Sequence, residues 1–172
     1  MTGAGKMSEE KPPDQEQDSQ QAIAEQARQL CIRILSFFPL YETPRVRAWE
    51  EADKVMLEID GDKSGILIGK HGQTLQALEF VLARIFQHQT NSKKRLQLDC
   101  EGYRKRRRLM LENLAQETAA EVAETKQAVA LGPMSSEERK IIHLALKDHP
   151  LVFTESEDIP PDRQVVVKPR EN

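Results

Sequence analysis

The spacing of hydrophobic residues predicts a helix and two strands in the first third of the chain. Apolar residues recur at helical spacing from Ala22 to Phe38, and Pro39 ends this amphipathic stretch. Val46 to Glu50 and Lys54 to Asp60 are then short extended segments, and the second alternates apolar and polar residues. The polar link between them is short enough for a hairpin. The order helix–strand–strand indicates the beginning of an α/β unit.

A glycine-bounded loop interrupts the pattern after the second strand. Its sequence is Gly69-Lys70-His71-Gly72. An apolar turn precedes it, an amphipathic helix follows it, and a third alternating strand runs from Arg95 to Asp99. Two glycines three positions apart let the backbone fold tightly and approach a ligand. The free N–H groups of the next helix and the charge of Lys70 suit a phosphodiester backbone. The longer glycine-rich loop that holds nucleoside triphosphates is missing.

The helix–strand–strand unit, the loop and the strand after it together resemble a type II KH domain, which we place at residues 22–100. The resemblance implies that the loop residues Gly69, Lys70, His71 and Gly72 clamp the backbone of about four nucleotides, while the bases lie in an apolar groove. We expect His71 to contact phosphate and not to read a base. The alternative interpretation is an ordinary tight loop between two helical segments.

The last third of the chain predicts a second module. A long helix begins after Gly102 and is basic at its start and rich in alanine in its second half. Ser135 and Glu138 have the spacing of a capping box and predict the start of another helix. Two strands, Leu151 to Thr154 and Gln164 to Lys168, complete the pattern. We expect the acidic stretch between these strands to be a loop.

An arginine and a histidine share one face of the helix that begins near Ser135. Arg139 and His143 are four residues apart and lie at the edge of the buried arc. A guanidinium fork beside an imidazole suits a phosphate together with a sugar or a base. The alternatives are a surface arginine with a packed, hydrogen-bonded histidine, or a phosphodiesterase that uses His143 as its base. The second lacks another histidine or a carboxylate pair to assist it.

The segments around this pair resemble an R-3-H domain, which is named for this arginine and histidine and binds single-stranded nucleic acid. They are Leu131-Gly-Pro-Met134, Glu137 to His143, Val152-Phe-Thr154 and Arg163 to Lys168. A KH domain followed directly by this module is similar to the Jag (SpoIIIJ-associated, KhpB-like) family of bacterial RNA-binding proteins. The resemblance implies post-transcriptional regulation or RNA chaperone activity, a small stand-alone KH-domain protein as a partner, and a link to cell-envelope growth.

The distribution of charge adds one further candidate site. The net charge is only −3, but residues 93–108 are strongly basic. Arg104, Arg107 and Arg108 lie in the first turns of the long helix, where cations oppose the helix dipole. A bound polyanion would compensate them, so we predict that they contact nucleic acid. The alternative is a solvated surface.

Composition limits the remaining possibilities. Residues 1–21 are polar and acidic, and we predict a disordered tail there. Cys31 and Cys100 lack metal-ligand spacing and are interpreted as small buried hydrophobic residues in a reducing compartment. We expect a cytoplasmic protein without membrane insertion, metal, cofactor or enzymatic activity.

The sequence therefore predicts an α/β (α+β) protein. It has a type II KH domain at residues 22–100, and a linking helix with a small R-3-H domain at residues 101–172. The predicted ligand is single-stranded RNA, and single-stranded DNA is the alternative because no residue must read a 2′-hydroxyl.

Overall fold

The computed structural model describes residues 13–63, 65–159 and 162–170, which form two compact units. The first unit ends at Glu101 and the second begins at Gly102, one residue from the predicted boundary. Over the described residues the helices are α1 (Pro13–Leu35), α2 (Gln73–Thr90), α3 (Tyr103–Thr125) and α4 (Ser136–Ala145). The strands are β1 (Arg45–Glu51), β2 (Lys54–Asp60), β3 (Arg95–Cys100), β4 (Val129–Ala130), β5 (Val152–Ile159) and β6 (Asp162–Pro169). None of these helices is long and apolar enough to span a membrane.

The first unit is a three-stranded sheet packed against α1 and α2. The strand order is β1-β2-β3, in which β2 pairs antiparallel with β1 and parallel with β3. The alternation predicted for β2 and β3 is confirmed, because the alternate apolar side chains of both strands are buried. The parallel crossover from β2 to β3 contains the glycine-bounded loop and α2, so the loop lies at the start of a helix packed on the sheet.

Helix α1 begins earlier than its hydrophobic pattern indicated. It starts at Pro13 and not at Ala22, within the stretch predicted to be disordered. Proline is favoured in the first turn of a helix because its fixed φ suits that position and its missing N–H would have no partner there. The rest of the predicted tail, residues 1–12, lies outside the described residues.

The second unit packs α3 and α4 against a small antiparallel sheet with the order β4-β6-β5. Its core consists of Leu111, Ala115, Ala119, Val122, Leu131, Ile142, Leu146, Val152, Val165 and Val167. Ala115 and Ala119 of α3 are completely buried. They help to explain the alanine-rich half of this helix, since small side chains let it approach the sheet closely. Helix α3 is therefore part of the core of the second unit.

The last two strands are longer than predicted. The segment from Ser156 to Ile159 was expected to be a loop but belongs to β5. Opposite charges across the hairpin stabilise this extension: Lys168 Nζ lies 2.6 Å from a carboxylate oxygen of Glu155 and 2.6 Å from one of Glu157. The polar composition concealed a strand that pairs with β6 from Val152 to Ile159.

Both cysteines are free and buried in the first unit, as predicted. Burial raises the pKa of the Cys31 thiol to about 12. Burial, with smaller contributions from nearby carboxylates, has the same effect on Cys100, whose pKa is also about 12. Both thiols are therefore protonated packing residues without nucleophilic character.

Candidate nucleic-acid interface

The glycine-bounded loop has a backbone conformation that its two glycines make possible. Gly69 has φ 69° and ψ −173°, and Gly72 has the left-handed values φ 80° and ψ 10° at the cap of α2. A Cβ atom on Gly69 would lie 2.1 Å from Thr74 Oγ1, so the first turn of α2 leaves no room for a side chain there. The loop can keep this form only with glycine at position 69.

The two middle residues of the loop project into solvent at the start of α2. Lys70 and His71 are exposed, and in the described part of the chain neither side chain has a hydrogen-bond or ion-pair partner. His71 adopts φ 53°, a left-handed conformation that helps to turn the chain outward. Helix α2 has no side-chain cap and no acidic residue in its first turn. The positive end of the helix dipole and two exposed side chains therefore meet at one place, which suits a phosphate.

The basic start of α3 is largely occupied by carboxylates. Arg107 Nε lies 2.7 Å from Glu138 Oε1, and these side chains are only 19% and 10% exposed. Arg108 Nε donates to Glu112 Oε1 over 2.8 Å, while Arg104 lies 4.0 Å from a carboxylate oxygen of Glu137. These carboxylates compensate the positive charge at the start of α3, which is the role predicted for a bound polyanion. Binding of nucleic acid by Arg104, Arg107 and Arg108 stays a prediction.

The capping box predicted for α4 is confirmed. The Ser135 hydroxyl accepts a hydrogen bond from the backbone N–H of Glu138, and Glu138 Oε2 accepts one from the backbone N–H of Ser135 over 3.0 Å. Because its other oxygen accepts from Arg107, Glu138 ties the start of α4 to α3. This arrangement fixes the helix turn on which Arg139 lies.

Arg139 and His143 differ in how the structure uses them. Arg139 Nη1 donates to the carbonyl of Met134 over 3.0 Å, which leaves further donors of its guanidinium at the surface of α4. Both ring nitrogens of His143 contact hydroxyl oxygens, Nδ1 that of Thr154 at 2.6 Å and Nε2 that of Ser156 at 2.8 Å. Burial and, to a lesser degree, the charge of Arg139 lower the pKa of His143, so its ring is neutral at pH 7.

A shallow depression beside α4 brings these residues together with cations that the sequence did not indicate. It is lined by Ser136, Arg139, Lys140, His143, Leu144, Lys147, Ser156 and Arg163. None of these lining residues is acidic, although Asp158 lies 3.5 Å from Arg163. Lys147 could have been found from its spacing, since it follows His143 by one helical turn. Arg163 could not, because only the pairing of β6 with β5 brings it to α4.

Two family models match this chain, and they divide it where the structure does. The KH domain of KhpA and KhpB matches residues 39–98, which contain the glycine-bounded loop. The R-3-H domain matches residues 109–169, which contain Arg139 and His143. The chain therefore contains a KhpA/KhpB-type KH domain followed by an R-3-H domain. The predicted fold class, a KH domain followed by an R-3-H domain, is thereby confirmed.

Several curated relatives carry the name RNA-binding protein KhpB. The protein from Clostridium symbiosum is 41% identical over 126 residues, which are 72% of this chain and 57% of the relative. The one from Lactiplantibacillus plantarum is 44% identical over 111 residues, 64% of this chain and 34% of the relative. The one from Bacillus subtilis is 39% identical over 104 residues, 60% of this chain and 50% of the relative. The chain thus spans between about a third and somewhat more than half of the length of these relatives.

Proposed function

We propose that this chain binds single-stranded RNA through the KH loop and through the depression on the R-3-H domain. The observation that carries the proposal is the loop. Lys70 and His71 stand exposed on a backbone that Gly69 and Gly72 hold at the uncapped start of α2. A phosphodiester backbone is the ligand that such a loop suits, and the names of the curated relatives specify RNA binding.

The depression on the R-3-H domain supports the same proposal independently. Cations from α4 and β6 converge there, and Arg139 offers a planar fork that can hold a phosphate with two hydrogen bonds. The neutral His143 lines the depression without adding charge, and its ring nitrogens contact the hydroxyl groups of Thr154 and Ser156. Single-stranded DNA is the alternative ligand, since both sites are built to receive the phosphate backbone that DNA and RNA share.

The wider role that we propose follows from the family resemblance. The chain would act in post-transcriptional regulation or as an RNA chaperone, in the cytoplasm and without enzymatic activity. A small stand-alone KH-domain protein would be its partner, and the regulated processes would include cell-envelope growth. The names of the KhpB relatives support RNA binding, and the other parts of this role rest on the family resemblance alone.

The loop provides the most direct test of RNA binding. Replacing Lys70 and His71 by Asp places two negative charges where a phosphate would lie, while both glycines keep the backbone conformation. We expect the double variant of the full chain to lose most of its affinity for a short single-stranded RNA, measured by fluorescence anisotropy at fixed salt. Its unfolding midpoint should not change, because both side chains are exposed.

A matched control separates a local effect from a change in overall charge. Lys70→Asp alone is compared with Lys126→Asp, which changes an exposed lysine at the end of α3, outside both sites. We expect only Lys70→Asp to weaken binding strongly. Equal RNA affinity of wild type, Lys70→Asp and the double variant would show that the loop does not hold RNA.

A further inference from the structure

His143 in the R-3-H domain is the middle member of a chain of three polar side chains. Thr154 and Ser156 are alternate residues of β5, so their side chains lie on the same face of the strand. Their hydroxyl oxygens contact the two nitrogens of the ring at 2.6 and 2.8 Å. The ring therefore bridges α4 to β5. Ser156, at one end of this series of side chains, lines the depression.

Ser156 lies among the cations of this depression. The guanidinium of Arg163 donates to the backbone carbonyl of Ser156 over 3.4 Å, and Arg139 lines the same depression from α4. A phosphate held by these arginines would occupy the same depression as the side chain of Ser156. The pattern of residues along the chain did not indicate this contact, because it placed Ser156 in an acidic loop.

The donors and acceptors of the three side chains can be assigned consistently. A neutral imidazole has one N–H donor and one acceptor nitrogen, and each hydroxyl has one donor. Phosphate oxygens only accept hydrogen bonds, so the hydroxyl of Ser156 must donate its hydrogen bond to the ligand. Its oxygen then accepts from the Nε2–H group of His143, and Nδ1 accepts from the hydroxyl of Thr154. Burial, which lowers the pKa of His143, favours the neutral ring that this assignment requires.

We propose that Ser156 is a direct phosphate-binding residue of the R-3-H site and that His143, held by Thr154, positions its hydroxyl. This inference rests on the proposed binding of nucleic acid by the depression. It assigns to His143 the role of a positioning residue and gives the hydroxyl of Ser156 the contact with the ligand. A single tautomer of the ring, protonated on Nε2, follows from it.

The test uses the full chain with Lys70→Asp, so that the KH loop does not mask a loss at the R-3-H site. Ser156→Ala should lower the affinity for short oligouridylate and for oligothymidylate alike by about five- to tenfold. Ser156→Thr keeps a hydroxyl and should keep most of the affinity. Thr154→Val, which cannot donate to Nδ1, should weaken binding to a smaller degree and add nothing to Ser156→Ala.

The spectroscopic part of the test observes the ring itself. In the 15N spectrum of the histidines, the bound protein should show His143 protonated on Nε2, and a ring protonated on Nδ1 would overturn the proposal. A purely structural chain of hydrogen bonds would lower the unfolding midpoint of Ser156→Ala without changing its affinity. A loss seen with RNA but not with DNA would assign Ser156 to a 2′-hydroxyl, which also contradicts a phosphate contact.

Arg139→Ala in the same background separates this inference from the proposed function. If Arg139→Ala weakens binding and Ser156→Ala does not, the depression binds nucleic acid but Ser156 is not part of the contact. If neither variant differs from its parent, the depression does not bind nucleic acid and both proposals for the R-3-H domain fail.

Discussion

Two basic regions of the second unit carry similar charge in the sequence but present it very differently. The first turns of α3 contain the densest run of cations in the chain, yet Arg107 and Arg108 are each paired with a carboxylate. The depression beside α4 draws its cations from positions scattered between residues 139 and 163, and none of its lining residues is acidic. A positive surface therefore depends on where the acids lie in space more than on a run of basic residues.

The difference has a physical origin in the helix ends. Cations in the first turn of α3 oppose its dipole, and the acids at the start of α4 are favoured by the dipole of that helix. Packing α4 against α3 brings Glu138 to Arg107, so one contact relieves the unfavourable charge at the start of α3 and joins it to the capping box. Arg139 follows Glu138 directly but lines the depression, and it keeps further donors for a ligand.

Of the changes that test this comparison, we expect Arg139→Ala to have the largest effect, a loss of affinity for nucleic acid. The variant should lose a charge-assisted contact of about 1.5–3 kcal/mol, or at least tenfold in affinity, with little change in stability. Arg139→Lys should recover only part of the loss, because a point charge cannot reproduce the planar fork.

The measurement for Arg139 uses the fragment from Gly102 onward, which contains its own hydrophobic core, and a short single-stranded oligonucleotide at fixed salt. Lys126→Ala serves as the control for loss of one positive charge. If folded Arg139→Ala binds as tightly as wild type, the depression is a structural or protein-binding surface and the contrast between the two basic regions disappears.

In contrast to Arg139→Ala, Arg107→Ala should lower the stability of the protein and leave its affinity for nucleic acid unchanged. It leaves Glu138 without its partner in a mostly buried position, and we expect the free energy of unfolding to fall by roughly 1–2 kcal/mol, less than for a fully buried pair. The affinity of the folded protein should not change. Lys105→Ala, an exposed residue of the same turn, is the control in urea denaturation. A large loss of affinity without loss of stability would instead restore Arg107 as a binding residue.

Much of the fold could be predicted because local patterns and tertiary packing agree in it. Three features follow from residue type or short-range spacing, and the structure contains each of them. They are the alternation in β2 and β3, the capping box at Ser135 and the buried cysteines. The extension of α1 to Pro13 was missed because that segment lacks an apolar stripe, although a proline in the first turn favours a helix start.

The site could be predicted only where one element carries it. The KH loop is contiguous, and Arg139 and His143 share one helix face, so spacing was sufficient to find them. The contributions of Ser156 and Arg163 depend on the register of β5 against β6, in which Asp158 faces Arg163 and Ser156 faces Val165. The acidic and proline-containing sequence of this hairpin made it resemble a loop, and the contributions of both residues were therefore missed.

Salt dependence offers a smaller and more quantitative test of the same contrast. Counterion release changes the slope of log affinity against log salt by roughly −0.7 for each phosphate that is neutralised on a single strand. If the loop and the depression together engage about four to six phosphates, the full chain should show a slope of about −3 to −4. A slope near zero would indicate a protein partner in place of nucleic acid.

The two arginines should affect that slope differently. Arg139→Ala should make the slope shallower by about 0.7, the contribution of one phosphate, whereas Arg107→Ala should leave it unchanged. The measurement is a titration of each variant with the same oligonucleotide over a series of salt concentrations. Equal changes in both slopes would mean that the basic start of α3 releases its carboxylates when RNA binds.

The smallest effect concerns the pH dependence of stability that His143 introduces. Burial, and secondarily Arg139, lowers the pKa of this ring in the folded protein below its usual value of 6.5. As the pH falls, the unfolded chain therefore takes up a proton before the folded protein does. The stabilisation from the neutral ring is fully present above pH 6.5, and it decreases as the pH falls through this value towards the folded pKa.

His143→Gln keeps a polar side chain but cannot take up the proton. In urea denaturation of the fragment from Gly102 onward, the wild type should lose more stability between about pH 7.5 and about pH 5.5 than His143→Gln does. Titration of the ring by NMR checks the cause directly, since a pKa at or above 6.5 in the folded fragment would contradict a partly buried, neutral histidine beside the cations of the depression.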